Sequence, residues 1–235
     1  TNAAMKAKDI ILADKNQEVA KFYVSPEKEG TTATIDEIVF AISGFGTTAT
    51  DDIDSIFQIK LGNDVLDNIA FSGDNTIVAK DVNTTINGDT TVTLVYKKQL
   101  TGGNEYNMTG SVNGYGKKEF SRQATDAIVR VNSQKVTDTD TKYIFGIEFA
   151  DSYNGSKTIS DIVMTWASGS GYSIQGEVSK GEEYTIVNTN SEKSDEIKGI
   201  SYKINGTSFS INKDTYPDFF KVGSTNDPVI VGKAK

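Results

Sequence analysis

The 235-residue chain contains no cysteine and no histidine. Without cysteine there are no disulfides, no thiolate metal sites and no sulfur nucleophile. Without histidine the chain lacks the commonest general base near neutral pH, the usual zinc ligand and any Ser-His-Asp arrangement. Proline is scarce, at three residues, and tryptophan is single. A formal net charge of −8 and a pI near 4.7 deny the chain the positive surface that a phosphate backbone requires, so nucleic acid is not an expected partner. No run approaches the roughly 20 consecutive apolar residues of a spanning helix, so no membrane-spanning segment is expected. The sequence starts at Thr1 and not at Met, which reads as a product of trimming, with an N-terminal segment removed on export.

What is present is one stretch used twice. Thr34-Ile35-Asp36-Glu37-Ile38-Val39 and Thr158-Ile159-Ser160-Asp161-Ile162-Val163 share the pattern T-I-x-acid-I-V. Each runs on to Ser-Gly-x-Gly, at Ser43 to Gly46 and at Ser168 to Gly171, with Ala167 as the one insertion. The offset of 124 residues, Ile35 to Ile159, is the size of a single β-sandwich. Two tandem modules related by duplication are therefore expected. Alternate side chains of a strand share a face. Ile38, Phe40 and Ile42 then form the core face of the first copy, and Ile162, Met164 and Trp166 that of the second. Ile35, Glu37, Val39 and Ala41, with their counterparts, are expected on the outer face.

The rest of the chain is short apolar runs punctuated by Gly, Asn, Asp, Ser and Thr, which is the texture of an all-β protein. Asp9 to Ala13 predicts an edge strand in front of the first module, and Val19 to Val24 the strand after it. Asn87-Gly88, just before the alternating Val92, Leu94 and Tyr96, predicts a hairpin. Asn205-Gly206 predicts another, between Ile200–Ile204 and Thr207–Ile211. Helical turns are expected only at Asp54-Ser55-Ile56 and over Glu192–Ile197. The shift toward glycine and charge at Gly114-Tyr115-Gly116-Lys117-Lys118 marks the boundary. The expected architecture is two Ig-like or jelly-roll-type β-sandwiches, residues 1–116 and 117–235.

Chemistry-bearing patterns are few. Asp51, Asp52 and Asp54, and again Asp138 and Asp140, gather acid in loops, but neither group has the spacing of a calcium loop, and each reads as a solvated turn. Among 32 acidic residues, pairs that could flank a glycosidic bond arise by chance. Glu37 and Asp161 occupy equivalent places in the two copies, which fits an outer-face position. No catalytic residues, no metal and no cofactor are expected, and the chain does not read as an enzyme. Trp166 stands where Ile42 stands in the first copy, so burial is expected over a sugar-stacking role. Phe45, Tyr115, Tyr153 and Tyr172, in Gly-rich loops, are the candidates for ligand contact. Asn83, Asn107, Asn154 and Asn205 each open an Asn-x-Ser/Thr sequon, which permits glycosylation.

Tandem, acidic, Thr-, Asn- and Gly-rich β modules without cysteine, with Glu18-Val19-Ala20-Lys21-Phe22-Tyr23-Val24-Ser25 leading into Thr34-Ile35-Asp36-Glu37-Ile38, resemble prokaryotic extracellular proteins: pilus or filament subunits, surface-layer modules and adhesin stalks. The resemblance implies a structural role outside the cell, with self-association into a polymer or lattice. Strand exchange is one means, because the unpaired N–H and C=O groups of a sheet edge accept a further strand. Ile10, Ile11 and Leu12, or Val229, Ile230 and Val231, are the candidate strands. An adhesin or carbohydrate-binding module that presents loops to a cell-surface glycan is the alternative, and an acid-pair glycoside hydrolase stands third.

Overall fold

Twenty strands and one 3₁₀ turn form the secondary structure of this computed structural model, which describes residues 9–135, 140–166, 171–179, 183–187, 197–204, 206–212 and 229–231. In chain order the first strands are β1 (Asp9–Leu12), β2 (Gln17–Pro26), β3 (Ala33–Ile35), β4 (Ile38–Ser43), β5 (Phe57–Leu61), β6 (Asp64–Val65) and β7 (Ile69–Phe71). Next come β8 (Thr76–Ala79), β9 (Thr84–Ile86), β10 (Thr90–Tyr96), β11 (Glu105–Val112), β12 (Tyr115–Thr125), β13 (Ala127–Lys135) and β14 (Asp140–Phe149). The last are β15 (Ser160–Trp166), β16 (Gly171–Ile174), β17 (Glu183–Val187), β18 (Ile197–Ile204), β19 (Thr207–Asn212) and β20 (Val229–Val231). The protein is all-β. The 3₁₀ turn is Ile53–Ser55, close to where a helical turn was expected; the other, over Glu192–Ile197, lies outside the described residues apart from Ile197, which opens β18.

The chain forms two compact units that exchange their ends. The first holds Ala13–Ala124 and takes in β20; the second holds β1 and Thr125–Ser224. The boundary expected between residues 116 and 117 falls inside β12, and the units divide between Ala124 and Thr125. The glycine-rich stretch that suggested a boundary is the far side of a hairpin. Asn113 (φ +52) and Gly114 (φ +74) both take the left-handed conformation that a two-residue turn requires, and they join β11 to β12.

One six-stranded sheet runs β1-β12-β11-β4-β8-β7, and the sheet facing it in the first unit runs β20-β2-β10-β5-β6. Phe22 of β2 crosses the gap, with its ring centroid 6.1 Å from that of Phe40 on β4 and 6.0 Å from that of Phe120 on β12. The strand alternation explains which residues arrive there: Phe22 and Val24 are buried while Lys21 and Tyr23 are exposed. A bulge opposite Leu94 and Val95 then breaks the alternation and lets Val19 and Ala20 both turn inward.

The repeated stretch is a central strand in both units, but it is not continuous. Ile35 was expected on the outer face and is fully buried, as are Ile38 and Phe40. Residues 36 and 37 belong to no strand, so β3 and β4 are separate and Ile35 and Ile38 can both face the core. The second copy does the same: Ile159 and Ile162 are both buried, Asp161 has φ +50, and the register of β15 on β18 shifts between Ser160 and Val163. A one-residue interruption of a period-2 pattern moves everything before it to the other face. The side chain of Trp166 lies outside what the structure describes.

In the first unit this break is held by Asn113. Its Oδ1 accepts from the backbone N–H of Asp36 at 2.8 Å and of Glu37 at 3.1 Å, and its Nδ2 donates to the Thr34 carbonyl at 2.8 Å. Replacing Asn113 by alanine removes three hydrogen bonds and leaves a Cβ in the left-handed conformation without the polar side chain by which asparagine tolerates it, and is expected to cost about 2–3 kcal/mol. Asn113→Gly keeps the turn and loses only the bonds, so it is expected to cost about 1 kcal/mol less. Urea unfolding of the two variants checks the difference.

The second unit has sheets β13-β14-β17 and β16-β15-β18-β19. Ala127, Val129 and Ile147 from the first meet Ile162, Met164, Ile174, Ile200, Tyr202 and Ile204 from the second in one core. The strand order matches that of the first unit: β19-β18-β15-β16 beside β12-β11-β4-β8, and β14-β17 beside β2-β10. The β18–β19 hairpin forms as expected, with Ile204 opposite Thr207. The hairpin expected at Asn87-Gly88 does not. Neither residue takes a left-handed φ, and the strands on either side pair elsewhere, β9 with β3 and β10 with β2 and β5.

Candidate functional site

The feature of the fold that local sequence order does not account for is the outer edge of β2. On one side β2 pairs antiparallel with β10 from Gln17 to Val24. On the other side lies β20, parallel, with Val24 opposite Val229, Ser25 opposite Ile230 and Pro26 opposite Val231. Along Gln17–Tyr23 no strand lies on that side among the described residues. Pro26 has no N–H to give to a ladder, which suits an edge and ends it there. Three parallel pairs supply only a few hydrogen bonds, each worth about 1 kcal/mol net.

The second unit shows what a locally built edge looks like. There β14, a ten-residue strand like β2, is flanked by β17 on one side and on the other by β13, the strand immediately before it, paired along nine residues from Ala127–Phe149 to Lys135–Thr141. The corresponding strand of the first unit is β1. It does not flank β2: it ends the six-stranded sheet beside β12, while by compactness it groups with the second unit, where Ile10 packs against the core. The turn between β1 and β2 is anchored in the first unit: the Ala13 carbonyl accepts from Gln99 Nε2, and the Asp14 carbonyl from the Leu100 N–H at 3.3 Å. The sequence expectation of β1 as an edge strand agrees with its place at the end of the six-stranded sheet. Both groups of candidate strand residues are in strands: Ile10, Ile11 and Leu12 in β1, half-buried, and Val229, Ile230 and Val231 in β20.

The loop candidates fare differently from one another. Phe45 packs edge-on to Phe57 at 5.3 Å and tilted against Tyr96 at 4.9 Å and Tyr106 at 4.8 Å, so it caps one end of the first core. Burial, and the neighbouring Tyr106, raise the Tyr96 hydroxyl pKa above its ordinary value; burial alone raises that of Tyr202 in the second unit. Tyr153 stacks on Phe149 at 5.1 Å, with Lys157 Nζ above both rings and donating to the Tyr153 carbonyl at 2.8 Å. Its hydroxyl is buried without a partner. Tyr115, at 42% exposure, and Tyr172, at 41%, present their rings to solvent from β12 and β16.

The acidic loop after the first repeat is occupied with its own backbone. Asp51 Oδ2 accepts from the Thr48 N–H and Asp74 Oδ1 from the Ala49 N–H, each at 2.8 Å. Lys97 Nζ donates to the Asp54 carbonyl. Asp138 lies outside the described residues, and Asp140 opens β14. Among the described residues no three acidic side chains come together as a metal-ion site. Asp161 pairs with Lys203 at 3.1 Å across two strands, while Glu37 has its N–H held by Asn113. Of the sequon asparagines, Asn83, Asn107 and Asn154 are exposed and Asn205 is outside the described residues. Sequence reasoning missed Asn113, although the signal was there: Val112-Asn113-Gly114-Tyr115 carries the same Asn-Gly pair between apolar runs as Ile204-Asn205-Gly206-Thr207.

No family model matches the sequence, and no curated protein is similar to it. Several solved structures bear a weak likeness to it, among them the following two. One is the CupB2 chaperone of Pseudomonas aeruginosa, at 9% identity and a TM-score of 0.26, covering 88% of this chain and 97% of that one. The other is a chain of a chaperone–tip adhesin complex of CFA/I fimbriae biogenesis, at 7% identity and a TM-score of 0.24, covering 88% and 96%. At these scores the likeness assigns neither a family nor a role. No helix among the described residues is long and apolar enough to cross a membrane.

Proposed function

We propose that this protein is an extracellular structural subunit that self-associates into a cell-surface filament, pilus or layer. The observation that carries the reading is the edge of β2, closed by a strand from far along the chain and not by its own neighbour. A sheet edge filled by a remote, short and weakly held strand is a ready place for another chain to join. Acidic composition fits an exposed, soluble surface before assembly. The role assigns the chain no reaction and no cofactor; its partner is a further copy of itself. Negative-stain electron microscopy of the full chain is expected to show extended or lattice assemblies, whereas single small particles at every concentration would contradict the role.

A further inference from the structure

We propose that Asn87 and Asn154 are sites of spontaneous conversion to aspartate and isoaspartate, so that the folded chain gains negative charge with age at two defined loops, while Asn113 is spared. The modification is independent of the structural role and holds whether or not the chain assembles.

The chemistry needs an asparagine whose side chain can be reached by the backbone nitrogen of the next residue. That nitrogen attacks the asparagine Cγ, the proton it sheds leaves with the side-chain amide as ammonia, and a five-membered succinimide closes. Water then opens the ring at either carbonyl. One opening gives aspartate and the other isoaspartate, whose backbone is longer by one methylene. The balance is one water consumed and one ammonia released, with no oxidant and no enzyme. Glycine is the favourable follower, because it has no side chain to shield its nitrogen or to restrict the approach. Four Asn-Gly pairs occur, at Asn87, Asn113, Asn154 and Asn205, and the last asparagine lies outside the described residues.

The other three share the dipeptide and differ in what holds it. The Asn113 side chain spends both of its polar atoms on Thr34, Asp36 and Glu37, so its Cγ cannot turn toward the Gly114 nitrogen without breaking three hydrogen bonds. Asn87 and Asn154 are exposed, and among the described residues neither side chain has a hydrogen-bond partner. Gly88 and Gly155 lie outside every strand, and among the described residues their N–H groups enter no backbone hydrogen bond. Nucleophile and target are both free there. Residues 87–89 link β9 to β10, which pair with different strands, so a longer backbone at residue 87 disturbs no ladder. Each conversion adds one unit of negative charge to the formal −8. At Asn154-Gly155-Ser156 it also removes the acceptor of a glycosylation sequon.

Ageing the purified full-length chain at mildly alkaline pH and mapping its tryptic peptides by mass spectrometry tests the assignment, because residues 81–97, 99–117 and 143–157 carry the three asparagines on separate peptides. Conversion registers as a gain of about 1 Da at the asparagine itself. In the folded chain Asn87 and Asn154 are expected to convert at least about tenfold faster than Asn113, whose reaction waits for three hydrogen bonds to open. In urea the three rates are expected to converge. The assignment is overturned if Asn113 keeps pace in the folded chain, if Asn87 or Asn154 stays unconverted, or if Asn113 remains slow in urea. Gly88→Ala is the site-specific control, since an added Cβ there meets nothing within 4 Å and the residue lies outside the left-handed region. It is expected to slow conversion at Asn87 at least about tenfold and to leave Asn154 unchanged. An unchanged rate at Asn87 would contradict attack by the residue-88 nitrogen.

Discussion

Phe22→Ala is expected to lower the stability of the first unit by about 3–5 kcal/mol, the range for deleting a large aromatic side chain from a packed core. Phe22 is fully buried, and its ring is the one that reaches from the β2 sheet to Phe40 and Phe120 on the other. The opposing position has no side chain. A Cβ built on Gly110 would stand 2.6 Å from Phe22 Cε1 and 2.9 Å from Phe40 Cε1, so the two rings fill the space above that glycine. Gly110 sits directly opposite Phe40 in the ladder. Gly110→Ala should therefore cost about 1–3 kcal/mol by overpacking. Because both changes act on one contact, Phe22→Leu combined with Gly110→Ala should cost less than the two singly. Urea unfolding followed by circular dichroism measures all three. A loss below about 1 kcal/mol for Phe22→Ala would mean that the ring does not bridge the sheets.

Gly44→Ala and Gly46→Ala are expected to differ sharply, although both glycines close the repeated stretch. Gly44 has φ +94, and a Cβ there would run into the Glu105 backbone carbonyl. Backbone cannot swing aside as a long side chain can, so strain of about 1–2 kcal/mol from the dihedral adds to a forced shift of β11, for a total of about 3 kcal/mol or more. Gly46 has φ +64 and open space around the missing Cβ, leaving only the conformational strain of about 1 kcal/mol. Equal losses at the two positions would refute the close approach of residue 44 to β11.

Much of this fold was legible from period and punctuation. The burial of Ile38, Phe40, Ile162 and Met164 followed from alternation, and the hairpin at Asn205-Gly206 from its turn chemistry. What failed did so for identifiable reasons. Ile35 and Ile159 were placed outward because a two-residue period was run through a break that is fixed by Asn113 in one unit and accompanied by a left-handed Asp161 in the other. Asn87-Gly88 looked like Asn113-Gly114, but only the second pair takes the left-handed φ. The candidate site was the least legible part. Ile10–Leu12 and Val229–Val231 could be marked as strands from their apolar runs, yet which edge each joins depends on contacts between distant parts of the chain. Local pattern carries no information on that.

Light scattering of the purified full chain over a rising concentration series tests the central claim most directly. Self-association through the β2 edge predicts a mass of 25.4 kDa at the lowest concentrations and a continuous climb through its multiples, with filaments or sheets in the heaviest fractions. A mass fixed at 25.4 kDa across the series, with only single particles by electron microscopy, would contradict it.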